Sequence, residues 1–192
     1  MKPIRTILLG NSGVGKTCII RRAAHGIFED VLSPTIGAAH ATISRIVNNK
    51  ELVFNIWDTA GQEKYRSIVP IYFTGASIVL FVFDVTNKDS FKELSMFYEM
   101  LMENLKTPVF TVLIGNKIDL ISERVIFHDE AISFANHVKA KFFIETSAKT
   151  GENVQEIFDK IIIDPYMSEF IEPDITSPMA QIAPAKSESK CC

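Results

Sequence analysis

The sequence predicts an α/β domain: a six-stranded, mostly parallel sheet with helices on both faces. Three observations lead to this prediction. Short apolar runs alternate along the chain with segments whose apolar residues recur at helical spacing. The run from 78 to 83 is apolar throughout, as expected of a strand covered on both faces. Two consecutive strands between 41 and 57 are joined by a short turn, which adds one antiparallel edge strand.

The size and charge of the chain narrow the classes of function. With 192 residues, of which 47% are apolar, we expect one folded domain. A net charge of −3 argues against nucleic acid as the main partner. Three cysteines, Cys18, Cys191 and Cys192, give no disulfide framework and favour a reducing compartment. We expect no signal peptide, because the N-terminal apolar run is short and interrupted by Thr6, and no membrane span, because no apolar run approaches about 18 residues.

The first half of the chain divides into elements by its apolar periodicity and its breaks. Ser33-Pro34 marks an exposed loop, and Asn48-Asn49 is a turn-prone pair. In the strand that follows this turn, Trp57 falls on the face opposite to Leu52, Phe54 and Ile56. The predicted elements are a strand at 4–9, a helix at 16–24, a loop at 27–40, paired strands at 41–47 and 51–57, and an irregular segment at 58–72.

The second half continues the alternation and then changes composition. Strands are predicted at 78–83, 109–114 and 142–144, with helices covering 91–105, 131–138 and 154–162. Ser90 with Glu93, and Asn153 with Glu156, are predicted to cap the first and last of these helices. From residue 164 the chain has four prolines and little periodicity. We therefore predict a domain over 1–163 and a flexible acidic tail over 164–192.

Gly10 to Thr17 matches the pattern G-x-x-x-x-G-K-[ST], between a predicted strand and a predicted helix. Glycines at 10, 13 and 15 let the backbone turn sharply, so that successive N–H groups face one anion at a helix N-terminus. Lys16 adds a positive charge for outer phosphates, and the Thr17 hydroxyl suits Mg²⁺. The alternative, a glycine-rich turn without a ligand, gives no reason for the Lys16-Thr17 pair.

Asp58-Thr59-Ala60-Gly61-Gln62-Glu63 follows the third strand. Asp58 at a strand end suits Mg²⁺, through water, and Gly61 lets a backbone N–H approach a terminal phosphate. Gln62 is a candidate to orient an attacking water, because an amide both donates and accepts. Taken alone, an ordinary strand-to-helix turn explains this segment about as well.

Asn116-Lys117-Ile118-Asp119 follows the fifth strand. Guanine offers two adjacent donors that one carboxylate can accept, whereas adenine does not, so Asp119 would select guanine. Lys117 is a candidate to brace the phosphate loop and cover the base, and Asn116 to tie the two loops together. In isolation a solvated loop is favoured over this interpretation. Ser147-Ala148-Lys149, after the sixth strand, would add a backbone N–H to the guanine oxygen.

All these motifs occur in one order, each at a strand end, and over residues 4–163 the sequence resembles the Ras superfamily of small GTPases. Trp57 to Glu63, Thr35-Ile36-Gly37 and the terminal Cys191-Cys192 look like the Rab branch, and Thr35 to Ala39 is similar to early-endosomal Rabs. The resemblance implies a monomeric P-loop small GTPase fold that binds GTP or GDP with Mg²⁺.

The resemblance also implies roles for individual residues. Thr35 would complete the Mg²⁺ shell with Thr17 and Asp58, and Phe28 would pack on the guanine. An effector surface would comprise Ile36, Gly37, His40, Trp57 and Tyr72, with His40 in place of the usual Phe. Cys191 and Cys192 would carry geranylgeranyl groups. The implied nucleotide contacts are Ser12, Gly13, Val14, Gly15, Lys16, Thr17, Cys18, Phe28, Thr35, Gly61, Asn116, Lys117, Asp119, Ser147, Ala148 and Lys149.

The function implied is a molecular switch in vesicular trafficking, with slow hydrolysis of GTP at Gln62 that needs a GTPase-activating protein (GAP). The implied partners are a GAP, an exchange factor, a GDP-dissociation inhibitor or prenylation escort protein, and effectors. The implied location is the cytoplasmic face of an endosomal or other vesicle membrane, in exchange with the cytosol. A P-loop kinase is the first alternative, but it has no use for Asn116 and Asp119. The second is a scaffold that holds GTP without turnover, against which Gln62 argues.

Overall fold

A six-stranded sheet with the order β2-β3-β1-β4-β5-β6 forms the centre of the protein. The structure is a computed structural model that describes residues 3–30, 33–47, 49–105 and 107–168. β2 and β3 pair antiparallel, and the four other neighbouring pairs are parallel, which confirms the predicted sheet. The strands are β1 Ile4–Leu9, β2 Ala38–Val47, β3 Lys50–Thr59, β4 Ile78–Asp84, β5 Phe110–Asn116 and β6 Phe142–Thr146.

Helices cover both faces of this sheet. Their bounds are α1 Lys16–His25, α2 Lys88–Lys92, α3 Leu94–Asn104, α4 His128–His137 and α5 Val154–Ile163. The apolar faces of α1 and α5 pack in one core, and those of α2, α3 and α4 pack in a second core on the other face. All seven residues of β4 are buried, because its side chains alternate between these two cores.

Two predicted boundaries in the first half are wrong. β2 begins at Ala38, within the predicted loop, because its antiparallel pairing with β3 continues up to Ala38 opposite Thr59. The predicted irregular segment contains a 3₁₀ helix, Glu63–Phe73, which buries Val69 and Phe73 in the second core. Of the predicted turn pair, Asn49 has φ of 59°, and Asn48 lies outside the described residues.

Both predicted caps are also wrong. Asn87, not Ser90, caps α2: its side-chain oxygen accepts from the backbone N–H groups of Asp89 and Ser90. Glu93 is the residue between α2 and α3, where its carboxylate pairs with Arg66 instead of closing a capping box. Asn153 precedes α5, but its side chain donates to the Glu145 carbonyl and caps nothing.

Packing of the domain continues past the predicted boundary at residue 163. A 3₁₀ turn, Pro165–Met167, places Met167 fully in the first core. The predicted tail from 169 onward, including Cys191 and Cys192, lies outside the described residues. Within the described part of the chain, no helix combines the length and the apolar character needed to cross a membrane.

Candidate functional site

A cleft of about 390 Å³ opens where the loops after β1, β3, β5 and β6 meet. Such clefts at the carboxyl ends of parallel strands are the usual ligand sites of open α/β sheets. The structure brings most of the predicted nucleotide contacts to its walls, namely Ser12, Gly13, Gly15, Lys16, Thr17, Cys18, Phe28, Thr35, Gly61, Asn116, Lys117, Asp119, Ala148 and Lys149. Val14 and Ser147 are buried just behind the walls.

The loop between β1 and α1 has the backbone that an anion site needs. Gly10, Gly13 and Gly15 have φ of 148°, 77° and 96°, values that L side chains rarely adopt. A Cβ on Gly10 would lie 2.1 Å from the Val82 carbonyl oxygen, so only glycine fits against β4. No side chain caps the N-terminus of α1, which leaves its first N–H groups available to a ligand.

Lys16 is the first residue of α1 and is only 6% exposed. Its Nζ donates to the carbonyl oxygens of Gly10 and Asn11, each at 2.8 Å. Burial lowers the pKa of Lys16 to about 8, while the nearby Asp58 carboxylate opposes that shift. The ammonium group therefore stays mostly charged at neutral pH and is held at the floor of the cleft.

Thr17, Thr35 and Asp58 form an all-oxygen cluster. Thr17 Oγ1 donates to Asp58 Oδ2 at 2.6 Å, and Thr35 Oγ1 lies 3.1 Å from Thr17 Oγ1 and 3.4 Å from Asp58 Oδ2. Within the described part of the chain, the buried Asp58 Oδ1 has no hydrogen-bond partner. Burial raises the pKa of the Asp58 carboxyl, against the effects of Thr17 and Lys16. An orphaned carboxylate oxygen beside two hydroxyls fits Mg²⁺, which prefers oxygen ligands.

Gly61 lies directly against the phosphate loop. A Cβ at this position would come within 2.4 Å of the Asn11 carbonyl oxygen and the Ser12 nitrogen, so the backbone approaches as closely as a glycine permits. Gln62, by contrast, has extended backbone, is partly exposed and does not line the cleft. The structure therefore does not bring Gln62 to the other predicted site residues.

Asn116 is buried and links the loops around the cleft. Its Nδ2 donates to the Val14 carbonyl at 2.9 Å, and its Oδ1 accepts from Ala148 N at 3.1 Å and from Thr146 Oγ1 at 3.2 Å. Gly15 lies so close that a Cβ there would sit 2.3 Å from Asn116 Nδ2. One amide thus joins the phosphate loop to the ends of β5 and β6.

Asp119 and Lys117 occupy the other end of the cleft. Ser147 Oγ donates to Asp119 Oδ1 at 2.6 Å, which fixes the orientation of the carboxylate. Lys117 was expected to brace the phosphate loop, but its Nζ pairs with Asp84 Oδ2 at 2.6 Å. Asp84 is buried at the end of β4, and Thr86 donates to its other oxygen through N–H and Oγ1.

Sequence reasoning missed several residues that line the cleft or hold a lining residue in place. Asp84 belongs to no motif, although its place at a strand end was a usable signal. The other missed wall residues are Glu29, Asp30, Ser33, Pro34, Thr59 and Leu120; Thr59 lies inside a motif, and the rest carry no sequence signal that singles them out.

Outside the cleft, His40, Trp57 and Tyr72 form a row of rings. His40 lies opposite Trp57 in the β2–β3 pairing, and the ring centroids are 5.3 Å apart at 65°. The Tyr72 ring lies 5.3 Å from Trp57. The Arg5 guanidinium lies 5.0 Å from the Trp57 ring and also donates to the Tyr72 carbonyl.

A backbone hydrogen bond beside this row of rings joins two of the segments that border the cleft. Ala60 N donates to the Gly37 carbonyl at 2.8 Å, which connects the segment around Thr35 to the one around Gly61. Ile36, beside Gly37, is 78% exposed. Of the residues of the predicted effector surface, Ile36 and His40 are exposed, whereas Gly37, Trp57 and Tyr72 are partly exposed.

Comparison with protein-family models agrees with this geometry. The model of the Ras family matches residues 5–165, which is most of the chain and includes every motif around the cleft.

Proposed function

This chain belongs to the Ras family of small GTPases, and from that premise we propose that it is a Rab-like switch in vesicular membrane trafficking. As a small GTPase it binds GTP or GDP with Mg²⁺ and hydrolyses GTP. The finer assignment to the Rab branch is supported by the ring row, by the segment Trp57 to Glu63 and by Thr35-Ile36-Gly37.

Different residues of the cleft bind the phosphates, the base and the metal ion of the nucleotide complex. The backbone N–H groups of the glycine-rich loop and the Lys16 ammonium bind the phosphates, and Asp119 selects guanine. Thr17, Thr35 and Asp58 would hold Mg²⁺, which would neutralise charge on the phosphates. Gln62 must turn toward the cleft to orient the attacking water, because in the structure it lies outside.

The slow chemistry of this class suits a switch. Intrinsic turnover is about 10⁻⁴ to 10⁻³ s⁻¹, and a GAP supplies the missing cation in trans. The γ-phosphate holds the segments around Thr35 and Gly61, and its loss lets both relax. The Gly37–Ala60 hydrogen bond couples these two segments, so they change together.

The observation that carries the Rab proposal is the row of rings of His40, Trp57 and Tyr72 beside the segments around Thr35 and Gly61, in which His40 is exposed and the other two are partly exposed. Effectors would recognise this row in the GTP form.

We further propose that an exchange factor loads GTP, and that a GDP-dissociation inhibitor or escort protein carries the lipidated chain through the cytosol. The protein would then act on the cytoplasmic face of an endosomal or other vesicle membrane.

Membrane attachment is proposed to occur through Cys191 and Cys192, which lie outside the described residues. One lipid chain gives only marginal anchoring, and the acidic tail gains nothing from anionic lipids. Both cysteines should therefore carry geranylgeranyl groups.

The experiment is prenylation of the full-length chain with purified enzymes. Rab-type geranylgeranyl transferase with its escort protein should add two groups, detected by intact mass, whereas the transferase for C-a-a-X ends should add none. Cys191→Ser and Cys192→Ser should each accept one group and bind vesicles weakly. A native chain that stays unmodified by the Rab-type system would contradict the Rab assignment while leaving the GTPase itself intact.

A further inference from the structure

Arg22, in the last turn of α1, donates to three main-chain carbonyls in two segments at the base-binding end of the cleft, although it belongs to no nucleotide-binding motif. We infer that Arg22 is a positioning residue for the guanine base. Through it, α1 fixes both the loop after β6 and the segment that leads to Phe28.

The guanidinium first holds the loop after β6. Its Nε donates to the Ala148 carbonyl at 2.9 Å, and its Nη2 donates to the Lys149 carbonyl at 2.5 Å. Two hydrogen bonds from one planar cation to successive carbonyls set the position and the tilt of that backbone. Ala148 and Lys149 both line the cleft, so this contact shapes its base end.

The same side chain also holds the end of α1. Arg22 Nη1 donates to the Gly26 carbonyl at 2.6 Å, and the Arg22 carbonyl accepts from Gly26 N at 2.9 Å. Gly26 is the C-cap, with φ of 69°, and here the chain turns toward Phe28. The guanidinium carbon lies 5.9 Å from the Phe28 ring centroid, within the range of a cation–π contact.

The partners of Arg22 differ from those of an ordinary surface arginine. Its neighbour Arg21 pairs with the Glu29 carboxylate, and both of those side chains are exposed. Among the described residues, no carboxylate pairs with Arg22, and its cationic group is directed at three main-chain carbonyls. A lysine ammonium lacks the planar fork that spans such a set.

This arrangement predicts which property depends on Arg22. The base is bound between Phe28 and the loop after β6, and Arg22 fixes both of them from behind. Without Arg22 the base end should loosen, while Lys16, Thr17 and Asp58 at the phosphate end keep their contacts. Nucleotide release should therefore accelerate far more than hydrolysis changes.

The test measures release of fluorescent GDP from the full chain, in Mg²⁺ and after chelation with EDTA, together with single-turnover GTP hydrolysis. Arg22→Gln is compared with Arg22→Lys and with the matched control Arg21→Gln. Arginine, lysine and glutamine have similar helix propensity, so a change in release does not come from the intrinsic helix preference of the residue at this position. The Arg21→Gln variant removes the same positive charge one residue earlier in α1, at a residue that does not line the cleft.

Arg22→Gln should release GDP at least tenfold faster than the native chain, Arg22→Lys should be intermediate, and Arg21→Gln should stay within twofold. The ratio of the release rates of Arg22→Gln and the native chain should be the same in EDTA, because the lost contacts are at the base end and not at the Mg²⁺ site. The hydrolysis rate should change several-fold less than the release rate. Any of three results would overturn the inference: release of GDP by Arg22→Gln within twofold of the native rate, equal acceleration of release in Arg21→Gln, or disappearance in EDTA of the difference between Arg22→Gln and the native chain. If Arg22→Gln does not fold, Arg22→Lys is used instead, and it should release GDP at least threefold faster than the native chain.

Discussion

Base selection is proposed to rest on Asp119. Ser147 holds one carboxylate oxygen at 2.6 Å, and the carboxylate lone pairs that remain are acceptors for the two donors of guanine. Hydrogen bonds to a charged group contribute about 1.5–3 kcal/mol each, so the choice of acceptor or donor here outweighs smaller contacts around the base.

Asp119→Asn should change the preference from guanine to xanthine nucleotides. The new amide donates to the oxygen that xanthine carries in place of the amino group, and GDP should bind about tenfold weaker or worse. Competition between GDP and XDP measures this. Ser147→Ala is the control and should keep the guanine preference. A folded Asp119→Asn variant that still prefers guanine would refute the assignment of this residue.

Gln62→Leu should leave GTP affinity nearly unchanged, because Gln62 does not line the cleft. Hydrolysis should fall by about tenfold or more, since leucine cannot orient a water. Single-turnover hydrolysis with and without a GAP, beside equilibrium binding, separates the two effects. The exposed neighbour Glu63→Gln should hydrolyse GTP like the native chain. Equal GAP-stimulated rates in Gln62→Leu and the native chain would remove Gln62 from the mechanism.

Cys18 should be a slow target for alkylation, and its rate should rise with pH. Burial raises the pKa of this thiol above its usual value, so the reactive thiolate is scarce near neutral pH. Bound GDP should slow the reaction further, because Cys18 lines the cleft. Mass spectrometry of the modified peptide from pH 7 to 10 gives the rate, with free cysteine as reference. If the alkylation rate of Cys18 reached its plateau at a lower pH than that of free cysteine, the raised pKa would be contradicted.

The β2–β3 hairpin carries His40 and Trp57 of the predicted effector surface. Its pairing runs from Ala38 opposite Thr59 to Val47 opposite Lys50, so a ring in β2 has a fixed neighbour in β3. His40 packs edge-on against Trp57, which makes it part of the ring row and not an isolated exposed residue.

His40→Phe should tighten binding to the effector of an endosomal Rab by about tenfold, equal to about 1.4 kcal/mol. Phenylalanine buries more apolar surface, and no polar imidazole needs to be desolvated. Titration of the GTP-loaded chain with the effector domain measures the change. Thr42→Val, two residues further along the same face of β2, is the control and should have a smaller effect. Unchanged or weaker binding would mean that this chain uses His40 for a different partner.

Across the whole molecule, the sequence predicted what depends on local pattern. β4 was predicted because six consecutive buried residues, 78–83, leave a continuous apolar run, and the phosphate loop because each fixed position of its motif has a chemical reason. Arg22 was not predicted, because its partner Ala148 lies 126 residues away and main-chain carbonyls leave no sequence signal. The α2 cap was misplaced because Asn87 and Ser90 both suit a cap, and only the backbone decides between them.

The domain boundary gives a prediction about stability. Met167 is fully buried, whereas Ile163 is 80% exposed. Met167→Ala should lower the free energy of unfolding of the GDP-bound protein by about 2–5 kcal/mol, while Ile163→Ala should change it by less than about 0.5 kcal/mol. Urea unfolding of both variants measures this. Equal effects would show that the core ends before residue 164.

The Gly37–Ala60 hydrogen bond has a consequence for how partners discriminate between the two nucleotide states. A partner that contacts Ile36 and Tyr72 together reads two segments at once, and it binds only the fraction of molecules in which both are in place. If each segment alone were in place about ten times more often with GTP, independent segments would give about hundredfold discrimination. Because the Gly37–Ala60 hydrogen bond joins the two segments, we expect them to be in place together or not at all, so a partner responds to one all-or-none arrangement.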